Sequence, residues 1–164
     1  MLQIGIISDT HGYIDERILH HFETCNEIWH AGDIGTMEVA LALEKHKPLR
    51  AVYGNIDNHI IQQAYPENNV FMCEGVKVLI THIAGLPPKY NKRVLSLIAI
   101  HQPDLLICGH SHILKVLREP TLHLLHLNPG AAGKSGFHKV RTLMRLRIED
   151  KRIFDVAVIE LGKK

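Results

Sequence analysis

The first two-thirds of the chain alternates short apolar runs with amphipathic stretches. The runs are residues 2–7, 27–31, 49–53, 76–80 and 104–108. Each is rich in Leu or β-branched residues and has the length of a strand. Between them, apolar positions recur at helical spacing. Ile14, Ile18, Leu19 and Phe22 share one face, and Val39 and Leu43 share another behind an N-cap at Thr36. Val94, Leu97 and Ile98 form a third, stopped soon after by Pro103. Strand and helix in alternation predict a parallel sheet covered by helices. The last third changes period. Segments 113–117 and 122–127 flank the turn Glu119-Pro120-Thr121. Val140, Thr142, Met144, Leu146 and Ile148 alternate with Arg141, Arg145 and Arg147, and Glu149-Asp150-Lys151 turns into 152–161. These read as antiparallel hairpins with one solvated face. The whole predicts an α/β fold in which two sheets pack together with helices outside.

Composition narrows this picture. A chain of 164 residues without repeats or a linker reads as one domain, 1–164. The loop-like stretch 85–88 lies between core-like segments and marks no boundary. Apolar residues are 46% and charged residues 22%, the balance of a soluble globular protein. A net charge of +2 excludes a strongly basic nucleic-acid module. The longest apolar run, 94–100, is interrupted by Ser96 and too short for a bilayer. The opening residues carry no basic, cleavable leader. Cys25, Cys73 and Cys108 form no CxxC pair and read as reduced thiols. Together these predict a cytoplasmic protein. The unusual number is 13 histidines.

The histidines gain meaning from the residues that end each apolar run. The runs lead in turn into Asp9-Thr10-His11, Gly32-Asp33, Gly54-Asn55-Ile56-Asp57, His82 and Gly109-His110-Ser111-His112. Open α/β sheets build their sites at the carboxyl ends of strands. Five successive strands ending in Asp, Asn or His point to a metal centre. These oxygen and nitrogen donors suit borderline divalent metals. Asp9-x-His11 and His110-x-His112 would project to one side of an extended segment. Gly32, Gly54 and Gly109 would allow the close backbone approach of a crowded centre. Asp9, His11, Asp33, Asn55, His82, His110 and His112 are too many ligands for one ion and fit two. The surface reading holds for His20, His21, His46, His101, His123, His126 and His138, while His30 and His59 stay open.

These blocks resemble the calcineurin-like metallophosphoesterase superfamily. Its signature runs Asp-x-His, Gly-Asp, Gly-Asn-x-Asp/Glu, a lone His and Gly-His-x-His, all present here in order. Chain length and Asn128-Pro129-Gly130 resemble its small single-domain phosphodiesterase branch, which includes the retromer light subunit. The resemblance implies a four-layer αββα sandwich. It places Asp9, His11 and His112 on one metal, Asn55, His82 and His110 on a second, and Asp33 between them. The implied ions are Mn²⁺ first, with Ni²⁺, Zn²⁺, Fe²⁺, Co²⁺ or Mg²⁺ as alternatives. A hydroxide between them would attack a small phosphodiester or nucleotide-like substrate in line. Asn55 and His82 would act at the reacting phosphate, with Asp57 orienting Asn55 or a histidine, or else forming a turn. The resemblance also implies a homodimer.

The chain departs from the family pattern at Ile56, where many members carry a proton-donating His, and at His82-Ile83-Ala84-Gly85, where many read His-Gly. A general acid is typically worth about 10²–10⁴-fold, so its loss favours good leaving groups. His59 would be a substitute only if its loop folded inward. Two other readings stand beside the diesterase. One is a catalytically weak protein-interaction scaffold, with 94–100 as its partner surface or as an ordinary core helix. The other is a phosphomonoesterase or nuclease. A nuclease needs a basic track, and the one dense cluster, Arg141, Arg145, Arg147, Lys151 and Arg152, reads as a solvated hairpin face.

Overall fold

The computed structural model describes residues Met1–Lys164. The strands are β1 (Leu2–Ile7), β2 (Glu27–His30), β3 (Leu49–Ala51), β4 (Asn68–Cys73), β5 (Val76–Thr81), β6 (Gly85–Leu86), β7 (Lys89–Tyr90), β8 (Leu105–Ile107), β9 (Lys115–Glu119), β10 (Leu124–Asn128), β11 (Val140–Glu149) and β12 (Arg152–Lys163). The helices are α1 (Glu16–His21), α2 (Met37–His46), α3 (His59–Ala64) and α4 (Lys92–His101). One sheet has the order β12-β11-β1-β2-β3 and the other β4-β5-β8-β10-β9, with β6-β7 a separate small hairpin. Strands β1, β2 and β3 run parallel in the first sheet, and β5, β8 and β10 in the second. Antiparallel strands flank both triplets: β11 and β12 in the first sheet, β4 and β9 in the second.

The apolar runs are continuous because these strands are buried on both faces. Ile4, Ile6 and Trp29 pack against Val78, Ile80 and Ile107 between the sheets. The residues between them point the other way. Ile7 and Ile28 join Ile18, Val39 and Leu43 under α1 and α2, and Leu79 and Leu106 join Val94 and Ile98 under α4. The result is helix, sheet, sheet, helix, as the sequence predicts. Asp15, Asn58 and Asn91 each accept a backbone N–H at a helix start. Thr36 occupies the predicted cap position of α2 without a side-chain hydrogen bond.

Helix α3 and strand β4 escape the sequence pattern, as does the small β6-β7 hairpin in the stretch read as a loop. Helix α3 is too short to show a period, and β4 is a half-buried edge strand. The solvated face expected of β11 is a further difference. Arg141 is 3% exposed, donates from Nε to the Ala132 carbonyl at 2.7 Å and stacks on Tyr13. Arg145 donates to the His21 carbonyl. The segment around α1 covers that face, so neither arginine belongs to a basic track.

Candidate metal centre

All the singled-out residues sit where parallel strands end. Asp9 and His11 follow β1, Asp33 follows β2, and Asn55 and Asp57 follow β3. His82 follows β5, and His110 and His112 follow β8. Backbone hydrogen bonds lace these loops together. The amides of Asp9 and His11 reach the carbonyls of Gly32 and Asp33 at 3.0 Å, and the Gly109 amide reaches the His82 carbonyl at 3.0 Å.

The side chains gather into two groups that could each hold an ion. One is Asp9, His11 and His112; the other is Asp33, His82 and His110. Within each group the ligand atoms lie within 4.8 Å of one another. Each group draws on both sheets. His112 Nε2 lies 3.2 Å from Asp9 Oδ1, and His82 Nε2 lies 3.2 Å from Asp33 Oδ2. Asp33 Oδ2 is also 3.3 Å from His11 Nε2, so this carboxylate faces both groups. Asn55 joins the second, its Oδ1 3.0 Å from His110 Nδ1.

Hydrogen bonds fix which atoms point inward. Asp9 Oδ2 accepts from the Ser8 hydroxyl and the His110 amide, leaving Oδ1 to the centre. Asp33 Oδ1 accepts from the Ile56 amide, leaving Oδ2. His82 Nδ1 donates to the Ala31 carbonyl at 2.7 Å, leaving Nε2. His112 is set by a second histidine. His138 Nε2 lies 2.8 Å from the Gly133 carbonyl, which can only accept. Neutral His138 therefore carries its proton there, and its Nδ1 accepts from His112 Nδ1 at 3.2 Å. Three buried atoms are left without any hydrogen-bond partner: Asp9 Oδ1, His11 Nε2 and His82 Nε2. Leaving such a group unpaired costs about 1–3 kcal/mol. A divalent cation among them removes that deficit, so the donor set fits the group the motifs imply.

Charge and strain agree with this geometry. Burial opposes ionisation of Asp9, but the facing rings of His11 and His112, the charge of His82 and the Ser8 hydroxyl hold its carboxyl below the usual range. Asp33 is held low against burial by His11 and His82. The Asp33 and Asp9 carboxylates, 3.3 and 3.7 Å from its Nε2, outweigh desolvation and push His11 up to about 9. Asp9, His11, Asp33, His110 and His112 all have positive φ, between 46° and 70°. Such backbone costs on the order of 1–3 kcal/mol per residue and persists only where the surroundings over-determine it. Of the two i, i+2 pairs, Asp9 and His11 share one group as expected, whereas His110 and His112 go to different groups. Gly54 and Gly109 serve close approach: a Cβ on either would collide with the Asp33 or the Ser8 side chain.

Of the two roles expected of Asp57, the turn is the one its bonds fit: its amide donates to the Gly54 carbonyl at 3.2 Å, and its carboxylate makes no hydrogen bond to the Asn55 side chain or to a histidine. It accepts the amides of Ile34, Gly35 and Gly54 at 3.1, 2.7 and 2.8 Å, clamping the β2 loop to the β3 loop. His30 is buried support: it accepts from the Gly32 amide and pairs with Thr10 Oγ1, and burial lowers it to about 4. His59 lies exposed at the start of α3, outside both groups. Two surface readings are corrected. His126 is 2% exposed between Tyr90 and Cys108, and His138 is the partner of His112. Asn128 stands out in the sequence only as part of a motif. Its amide donates to the Gly109 carbonyl and Ser111 hydroxyl, holding the loop of both histidines. A signal for it exists, since it ends the sixth parallel strand.

The chain is similar to known proteins over nearly its whole length. The family model for the calcineurin-like phosphoesterase superfamily domain matches residues 2–151. A probable metallophosphoesterase of Methanothermobacter thermautotrophicus is 29% identical, covering 97% of this chain and 92% of that protein. Among solved structures, Vps29 of Chaetomium thermophilum has a TM-score of 0.79 at 14% identity, covering 100% of both chains. Wild-type Vps29 of Entamoeba histolytica, complexed with zinc, has a TM-score of 0.76 at 20% identity, covering 98% of both. A protein described as a novel archaeal phosphodiesterase has 0.74 at 23% identity, covering 98% of this chain and 100% of that one. These structural likenesses establish the shared fold.

Proposed function

The chain belongs to the calcineurin-like phosphoesterase superfamily, and on that premise we propose that it is a phosphodiesterase dependent on two divalent metal ions. The observation that carries the reading is the pair of back-to-back groups with three buried, unpartnered donor atoms aimed inward. Asp9, His11 and His112 would hold one ion and Asn55, His82 and His110 the other. Asp33, which faces both groups, would bridge. Bound there, the ions supply Lewis acidity, which makes a nucleophile available near neutral pH and offsets charge on phosphoryl oxygens. We take the ions to be Mn²⁺ first, with Ni²⁺, Zn²⁺, Fe²⁺, Co²⁺ or Mg²⁺ as alternatives, all of which accept oxygen and nitrogen donors.

The chain's own residues do the positioning. Asn55 is exposed, with its amide nitrogen free to donate to a phosphoryl oxygen. Asp57 holds the loop that carries it. Ile56, 46% exposed, gives the leaving group no proton, so the substrates are small or nucleotide-like diesters with leaving groups of low pKa. A cytoplasmic location and a homodimer belong to the same proposal.

The test is hydrolysis of a chromogenic phosphodiester beside the matching monoester. Metal-stripped protein receives Mn²⁺, Ni²⁺, Zn²⁺ or Mg²⁺ in turn, with Asp33→Ala as control. Metal-dependent diester cleavage lost in the control is the expected result. Activity that survives chelation overturns the reading.

One observation favours a second reading, a protein-interaction scaffold. Ile56, Ile83 and Ile113 each directly follow a candidate ligand and are 46%, 37% and 56% exposed. A contiguous apolar surface beside a polar centre is a mark of protein contact, and these three would form its start. Folded protein that turns over neither ester with any metal decides for it.

A further inference from the structure

A cavity of about 270 Å³ adjoins the second group, with Asn55 and His82 on its near side. Tyr53, Gln62, Glu67 and Arg93 also line it. The placement is that of a pocket for one substituent of a phosphorus held at the metal centre.

The lining chemistry says which substituent. Arg93 is the one cation, and it is already committed. It donates from Nη1 to Asn68 Oδ1 and from Nη2 to Thr81 Oγ1 and the Ile83 carbonyl. Glu67 lies 3.9 Å from its Nε and offsets its charge. The cavity therefore offers no free cation to a second phosphate, and its carboxylate repels one. Apart from the Asn55 amide and the Tyr53 hydroxyl, the uncommitted groups are acceptors. Gln62 donates from Nε2 to the Asp57 carbonyl at 2.8 Å, which fixes the carboxamide and leaves Oε1 open. The Glu67 carboxylate has only its long ion pair. Tyr53 adds a hydroxyl and a ring. Acceptors beside a ring select a neutral group that donates hydrogen bonds and presents an apolar face. A pentose has that chemistry.

We infer that this cavity binds the ribose of a nucleoside substituent, with Gln62 and Glu67 as its specificity-determining residues. The inference rests on the phosphodiesterase reading and names the substrate class of that same site. It separates nucleoside diesters from plain aryl diesters and from substituents that end in a further phosphate.

The test compares uridine 5′-(p-nitrophenyl phosphate) with bis(p-nitrophenyl) phosphate, which share one leaving group. Gln62→Ala and Glu67→Ala are each expected to raise KM for the uridine ester about tenfold, the scale of one lost hydrogen bond, and to leave the bis-aryl ester unchanged. Equal changes on both esters, or none on either, overturn the inference and leave the hydrolase reading standing. If wild-type protein cleaves neither ester with any metal, the hydrolase reading falls instead. Uridine titrated into metal-free protein then decides the cavity by itself. Shifts of the Gln62 side-chain amide signals that vanish in Glu67→Ala support ribose binding; no shift overturns it.

Discussion

Both ends of the sandwich hold non-glycine residues in the left-handed region, and they do so for opposite reasons. At the amino ends of the parallel strands, Glu74, Asp150 and Lys151 have φ of 47°, 48° and 64°. They sit in the turns joining β4 to β5 and β11 to β12, where two positive φ values match the twist of a hairpin. Their side chains are exposed, and only the backbone matters: the Lys151 amide donates to the Glu74 carbonyl, tying one sheet to the other. At the carboxyl ends, Asp9, His11, Asp33, His110 and His112 adopt the same backbone with side chains that converge. The first set is strained to reverse the chain. The second is strained to aim donors at a point. A left-handed residue is thus a pointer to function only where its side chain converges with others on one point.

Substitutions at the two ends should separate these causes. The largest effect is expected for Asp33→Ala, which removes the carboxylate facing both groups: kcat falls on the order of 10³-fold, read by diester hydrolysis. The fold remains by circular dichroism. Next comes His138→Ala. It frees His112 to rotate and change tautomer, so metal affinity falls about 10–100-fold by titration calorimetry. His138→Gln, which keeps an acceptor, restores part of the loss.

A smaller effect is expected from acid. Burial, with Lys115 nearby, lowers His126 to about 4, against 6.5 for the free group. The unfolded chain takes up the proton first, so this contribution to stability is whole above pH 6.5 and is lost as pH falls towards 4. Thermal melts of His126→Asn should therefore flatten in that window relative to wild type, by a few degrees. The smallest change is at the far end. Lys151→Gly relieves left-handed strain and should raise stability by up to about 1 kcal/mol, with activity unaltered. A loss of activity in Lys151→Gly would break the contrast between the two ends.

How much of this the sequence discloses depends on how local the cause is. Strand-end ligands are legible because each is set by its own strand and the glycine or turn beside it. The interior strands are legible because burial on both faces leaves an unbroken apolar run. Edge strand β4 alternates weakly, and α3 is shorter than the window in which a period shows. The partners of the ligands are hidden for another reason. His138 reaches His112 across 26 positions and Asp57 reaches Ile34 across 23, and neither separation carries a pattern. Arg141 reads as solvated because alternation marks which residues share a face, but not whether another segment lies over it.

The order in which the sheets are threaded has a bearing on biosynthesis. The second sheet is one uninterrupted stretch, Asn68 to Asn128, while the first is made from both ends of the chain. On a ribosome, all seven donors emerge before Val140 does. At that moment β1 still lacks its neighbour β11, and its open edge is a row of unpaired amides and carbonyls. A nascent chain holds every residue of the centre before it can close the sheet that supports it.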